Sequence, residues 1–242
     1  MIKISESQSE LATGLASELS EIINKAAFLK KTLTIALSGG STPRLLFSVL
    51  AEQYSKKTDW SFVHFFWGDE RCVPADDPDS NFGMTRSVLL DRINIPETNI
   101  HRIRGESLPE KEAIRYSTEI KKTARSGDNL PVFDLIILGL GDDGHTASIF
   151  PRNRELLFSE KICAVATHPV TGQKRVTLTG PVINNADNIF FLVTGSAKAT
   201  VVADIIEKPG EVSYPAASIE PTDGTVKWYL DNEAASLLNQ WA

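Results

Sequence analysis

Five short stretches of the chain carry side chains whose chemistry could converge. The densest is GLGDDGHTASIFP (139–151), in which His145 follows Asp142 and Asp143 and precedes the hydroxyls of Thr146 and Ser148. Histidine titrates near neutrality, so a neutral imidazole can take a proton from water while a neighbouring carboxylate fixes its tautomer. The second is LSGGSTPRLLF (37–47). Gly39 and Gly40 permit backbone conformations and close approach that a Cβ forbids, Thr42 suits an N-cap, and Pro43 suits the first helical position. A glycine turn feeding a helix start aims free N–H groups at one place, which makes either an anion site, most often for phosphate, or an ordinary capped helix. The third, FFWGDERC (65–72), places Asp69, Glu70 and Arg71 just past an apolar run, as site residues or as a solvated turn. The remaining two are single cations, Arg175 in KRVTLT and Lys198 in TGSAKA. Arginine can grip a phosphate with its planar fork and lysine acts as a point charge.

Familiar alternatives fail on their own terms. The triphosphate-binding pattern GxxxxGK[ST] is absent. GLGDDG does match GxGxxG, but Asp142 and Asp143 would set carboxylates where a pyrophosphate needs N–H groups. No histidine spacing such as HxxxH or HxH supports a metal site. His64 falls within a strand and is expected to be packed, and His101 and His168 lie beside turns without a visible partner. Cys72 and Cys163 form no CxxC pair, which suits a reducing compartment. Cys72 lacks an adjacent histidine and reads as a small residue. Ser148 lies outside a GxSxG elbow.

The elements that must position these groups follow from periodicity. Apolar residues recur at helical spacing over 7–28, and TLTIAL (32–37) then reads as a buried strand. Further strands are expected at 62–67, 133–138, 162–167, 175–179, 189–194 and 226–230, with helices at 43–54, 80–92, 109–125, 197–206 and 232–240. This alternation predicts an α/β sandwich with a largely parallel sheet covered on both faces. Sites in such sheets lie beyond the carboxyl ends of the strands, where each motif falls. The segments 74–81 and 207–224 read as surface loops, so residues 1–242 are expected to form one domain.

Bulk composition sets the outer limits. With 242 residues, 42% of them hydrophobic, the chain can bury a full core without a disulfide or metal. A net charge of −6 argues against a nucleic-acid surface, although local cations can still bind a small anion. No apolar run reaches the roughly 18 residues of a membrane span and the N-terminus has no signal-like apolar region, so a soluble, cytoplasmic protein is expected.

Together LSGGSTP, WGDER, SNFGM, GLGDDGHTASIFP, RVTLT and TGSAKA, in this order over residues 33–200, resemble the 6-phosphogluconolactonases of the pentose phosphate pathway. That family shares a Rossmann-like α/β fold with the glucosamine-6-phosphate deaminases. The resemblance implies hydrolysis of 6-phospho-D-glucono-1,5-lactone without a metal or organic cofactor. It implies His145 as general base, Asp143 as its orienting partner, Arg71 at the developing oxyanion or the substrate's polar edge, and Asp69 at a sugar hydroxyl. Gly39, Gly40, Ser41 and Thr42, with Arg175 and Lys198, would clamp the phosphate. The deaminases are the rival, but their loop continues Asn-Glu-Pro where this chain has Ile149, Phe150 and Pro151, and they carry Asp-Glu-Tyr where it has Asp69, Glu70 and Arg71. Asp69 aligns with the deaminase proton shuttle, which leaves a residual isomerase activity open. A sugar-phosphate-sensing regulator of this fold would need a DNA-binding module, and the residues before the first expected strand read as a single helix.

Overall fold

A computed structural model describes residues 1–127 and 130–239. In chain order its strands and helices are β1 (Ile2–Ser5), α1 (Gln8–Phe28), β2 (Leu33–Leu37), α2 (Ser41–Val49), β3 (Val63–Trp67), β4 (Asp69–Arg71), α3 (Asn81–Val88), α4 (Pro109–Thr123), β5 (Arg125–Gly127), β6 (Leu130–Val132), β7 (Leu135–Leu138), β8 (Cys163–Thr167), β9 (Lys174–Leu178), α5 (Gly180–Asn184), β10 (Asn188–Val193), α6 (Ala199–Glu207) and β11 (Thr225–Asp231). Six strands form a parallel sheet in the order β1-β11-β10-β7-β2-β3. Its central strands are continuous apolar runs such as LIIL and NIFFLV, as burial on both faces requires. α1 packs on α2 and reaches β1 and β11, while α4 lies on β8 and β9. The Rossmann-like α/β sandwich is the fold observed.

Three features depart from the sequence reading. The expected strands near 162–167 and 175–179 do not join the parallel sheet; they pair antiparallel with each other, and β4 completes a separate sheet of order β4-β9-β8. The link between them, residues 168–173, is far shorter than the dozen or so residues a parallel crossover needs. β1 precedes α1 and pairs with β11, so the N-terminal segment holds a strand as well as a helix. The expected helix at 232–240 is instead a series of turns through its described residues, 232–239. The Asp231 carboxylate organises them by accepting from Ala234 N (2.8 Å) and Gly195 N (3.0 Å).

The second sheet starts where β3 leaves the first. The buried Tyr116 hydroxyl bonds both backbone groups of Trp67, accepting from its N–H at 2.8 Å and donating to its carbonyl at 3.0 Å. Gly68 then donates to Leu37 O and accepts from Leu178 N, each at 2.8 Å, which stitches β2 to β9. Asp69, Glu70 and Arg71 are thereby swung across the end of the parallel sheet.

Candidate active site

The strand order reverses between β2 and β7: the chain runs outward from β2 to β3 on one side and from β7 through β10 to β11 on the other. A crevice at this switch point is the expected place for a ligand. Its floor is Ser38 and Gly39 after β2 and Gly139 to Gly141 after β7, and its walls are Asp69, Arg71, Asn81, His145, Ala147, Arg175 and Lys198. A roomier groove between α4 and β8, lined by Ile114, Ser117, Leu156 and Cys163, is mostly apolar and holds none of the motif residues.

The loop after β7 closes on itself. Gly141 N donates to His145 O (2.8 Å) and Gly144 N to Gly141 O (3.0 Å), with Gly144 at φ +76°. A side chain at Gly141 would collide with the His145 ring, so this glycine lets the imidazole fold back over the turn. His145 Nδ1 lies 2.5 Å from Asp143 Oδ1. The carboxylate can only accept, so Nδ1 carries the hydrogen, and in the neutral imidazole Nε2 keeps the lone pair. Burial works against the Asp143 charge, but the hydrogen bond from His145, and the charge its ring carries when protonated, outweigh it and hold this carboxyl below its ordinary range. The Phe150 ring sits 4.7 Å from the imidazole and backs it.

Asp69 is buried and already engaged. Its Oδ2 accepts from Ser148 Oγ at 2.6 Å and lies 3.8 Å from Arg175 Nη1. Ser148 has no exposed surface, so its hydroxyl serves Asp69 and is not offered to a substrate. Arg71 and Arg175 face each other across β4 and β9. Among the described residues, the Nε of each is buried without a hydrogen-bond partner, while Arg71 Nη1 donates to Asp79 O at 2.5 Å. Burial lowers the Arg175 pKa, and Asp69 offsets part of this. Two such cations beside a small cleft make a strong anion trap.

The glycine turn contributes differently from the sequence reading. The N-cap of α2 is Gly40 at φ +110°, not Thr42, and Pro43 is the third helical residue. The Thr42 hydroxyl bonds that of Thr194 at 2.7 Å, tying the turn to the segment after β10. Ser38 and Gly39 line the cleft, and Gly40, Ser41 and Thr42 form the helix start beside it. The N–H groups of Ser41 and Thr42 precede the first intrahelical bond of α2 and remain available. After β10, Gly195 at φ +92° leads into the turn that presents Lys198, which is paired with Asp142.

The other candidates lie elsewhere or are inert. His64 Nδ1 and His101 Nε2 are 2.9 Å apart, and His101 Nδ1 is 2.9 Å from Glu119 Oε1, so these two histidines form a chain outside the cleft. His168 Nδ1 accepts from the N–H groups of Val170 and Thr171, and the ring packs edge-on against Phe150 at 5.1 Å. Burial pushes the Cys72 thiol up to about 11 and the Cys163 thiol up to about 12, so neither is a poised nucleophile. Sequence reasoning overlooked Ser38 and Asn81 as cleft residues. Ser38 was accessible from its place at the carboxyl end of β2, whereas Asn81 sits in SNFGM, which carries no chemical signal by itself. No helix among the described residues is long and apolar enough to cross a membrane.

Known proteins are similar to this chain in sequence and in fold. The family model for glucosamine-6-phosphate isomerases and 6-phosphogluconolactonase matches residues 6–228. A 6-phosphogluconolactonase from Haemophilus influenzae is 45% identical over 212 residues, 87% of this chain and 89% of that protein. Among solved structures, a protein named devB superposes with a TM-score of 0.92 at 40% identity, covering 98% of this chain and 99% of its own. The 6-phosphogluconolactonase from Trypanosoma brucei superposes at 0.88 with 31% identity, covering 98% and 97%. Matched by that family model over most of its length and by relatives of such identity and coverage, the chain belongs to the glucosamine-6-phosphate isomerase/6-phosphogluconolactonase family.

Proposed function

We propose that this protein hydrolyses 6-phospho-D-glucono-1,5-lactone to 6-phospho-D-gluconate in the oxidative pentose phosphate pathway, with His145 as the general base. It is an enzyme of the hydrolase class, as its relatives named 6-phosphogluconolactonase indicate. The observation that supports the mechanism is the Asp143–His145 pair, which engages Nδ1 and so assigns the lone pair of a neutral imidazole to Nε2, on a ring that lines the cleft.

A lactone is an activated ester, so its hydrolysis needs a water nucleophile, removal of one proton and a partner for the oxyanion. His145 Nε2 takes a proton as water oxygen bonds to the lactone carbonyl carbon. Arg71 stabilises the oxygen that becomes negative. The carbonyl re-forms, the bond to the ring oxygen breaks, and the imidazolium returns its proton to that oxygen. The resulting carboxylic acid then ionises in solution. General base catalysis of this kind is worth about 10²–10⁴ in rate.

Gly39, Gly40, Ser41, Thr42, Arg175 and Lys198 clamp the phosphate, so binding energy far from the carbonyl becomes positioning. Lys198 exchanges Asp142 for the phosphate on binding. Asp69 orients Arg175 and presents its remaining acceptor capacity to a sugar hydroxyl. The site works within one domain spanning the chain and takes no cofactor. Deaminase chemistry is disfavoured because the position that would supply the second acid is Phe150, a buried apolar residue.

The test is hydrolysis of freshly generated 6-phosphogluconolactone against its spontaneous decay, with glucosamine 6-phosphate in parallel. Fast lactone hydrolysis without ammonia release supports the reading. Lactone decay at the background rate with ammonia from the amino sugar would transfer the assignment to deamination.

A further inference from the structure

Two motifs that the catalytic scheme leaves unused, the Glu70 of WGDER and the SNFGM segment, meet beside the cleft. Glu70 is 2% exposed, and its carboxylate receives four hydrogen bonds. Oε1 accepts from the N–H of Arg71 (2.8 Å) and of Asn81 (2.7 Å); Oε2 accepts from the N–H of Phe82 (2.7 Å) and from the Ser80 hydroxyl (3.1 Å). Every partner shown is a donor, so an ionised, acceptor-only carboxylate fits the pocket. Burial, with a smaller push from Asp69, holds this carboxyl above its ordinary range, and the three backbone N–H groups offset only part of the rise. Asn81 and Phe82 open α3, whose first N–H groups have no partner inside the helix, so Glu70 fastens the start of α3 to β4.

Asn81 carries that constraint into the cleft. Its Nδ2 donates to the Asp69 backbone carbonyl at 2.9 Å and lies 3.5 Å from Asp69 Oδ1. Its carboxamide also packs so closely on Gly39 that a Cβ there would run into it. One side chain therefore touches both the strand that bears Asp69 and Arg71 and the turn that leads into the phosphate-binding helix start.

We propose that Glu70 is a positioning residue that acts through Asn81, fixing the separation between the phosphate clamp after β2 and the hydrolytic groups on β4. The proposal deepens the lactonase reading and rests on it. A purely structural cap would set how much protein is folded. A positioning device also sets the turnover of the folded protein, because misplacement by about 1 Å can cost ~10²-fold in rate.

The experiment begins with wild-type turnover of 6-phosphogluconolactone; a protein with no turnover above background overturns the lactonase reading and this proposal with it. With wild-type activity in hand, Glu70→Gln, Asn81→Ala and the double variant are compared, each normalised to folded protein by circular dichroism. Glu70→Gln sets an amide NH₂ against backbone N–H groups. Each single change is expected to lower kcat by about 10-fold or more with KM within about 3-fold, and the double variant to fall no more than about 2-fold below the weaker single. Multiplicative losses would separate Glu70 from Asn81 and overturn the proposal. So would folded single variants with kcat within about 2-fold of wild type. If Glu70→Gln does not fold, Asn81→Ala decides alone, since its backbone N–H still reaches Glu70: a kcat within about 2-fold of wild type overturns the proposal, and a loss of about 10-fold or more at a near-normal KM supports it.

Discussion

Arg71 and Arg175 stand directly opposite each other across β4 and β9, so their side chains leave one face of the small sheet together. Like charges in this relation are destabilising, and Asp69, 3.8 Å from Arg175 Nη1, compensates only in part. The unliganded fold thus tolerates a repulsion that, with the proposed phosphate clamp, an anionic substrate would relieve. Arg175→Gln is expected to raise KM by about 10-fold or more while leaving the ligand-free thermal midpoint equal to or above that of wild type. Thermal melts with and without inorganic phosphate check this; a large loss of midpoint in the absence of phosphate would mean that Arg175 is structural.

Asp143 sets the tautomer of His145. Asp143→Asn is expected to lower kcat by about 10²-fold or more, because an amide can donate to Nδ1 and turn the lone pair away from the cleft. Steady-state kinetics at pH 7 read this directly.

The same pair gives a pH dependence of stability. Its folded-state pKa is depressed, so the Asp143 carboxylate contributes stability that is present above the unfolded carboxylate value, ~3.9, and is lost as pH falls through the lower folded value. The gap in thermal midpoint between wild type and Asp143→Asn should be present above the unfolded carboxylate value and close in strong acid. A gap that stays open in strong acid would contradict the assignment.

Gly144 combines φ +76° with contact against Tyr214, whose loop is tied back by Ala216 N donating to Gly144 O at 3.0 Å. Gly144→Ala should therefore destabilise the protein by about 1–3 kcal/mol and lower activity by displacing the His145 loop. Denaturant melts and lactone turnover measure the two effects.

Ser148 provides a control for the chemistry. Its hydroxyl is buried and given to Asp69, so Ser148→Ala should reduce turnover by less than about 10²-fold and wild-type protein should form no acyl adduct. A covalent intermediate trapped at Ser148 and seen by mass spectrometry would reverse this.

The parallel sheet was legible because its central strands are apolar runs long enough to register in one dimension. β1 was not, since IKIS is four residues long and gains its order from β11, more than two hundred residues away. The turns after Asp231 mimic a helical pattern, but a carboxylate shared with Gly195 decides their conformation. Within the site, local signals exposed the His145 loop and the glycine turn, whereas long-range contacts stayed hidden. Nothing in WGDER announces that Asp69 accepts from Ser148 or that Glu70 holds the start of α3. The N-cap was misplaced for a related reason: propensity favours Thr42, but the glycine at φ +110° and the bond from Thr42 to Thr194 move the helix start to Gly40.

The most direct test of the mechanism is the pre-steady-state and steady-state hydrolysis of 6-phosphogluconolactone by wild type and His145→Ala. With His145 as general base, the variant keeps its fold and its affinity for phosphate while kcat falls by about 10²–10⁴-fold. A folded His145→Ala protein that hydrolyses the lactone within a few-fold of the wild-type rate would contradict that role.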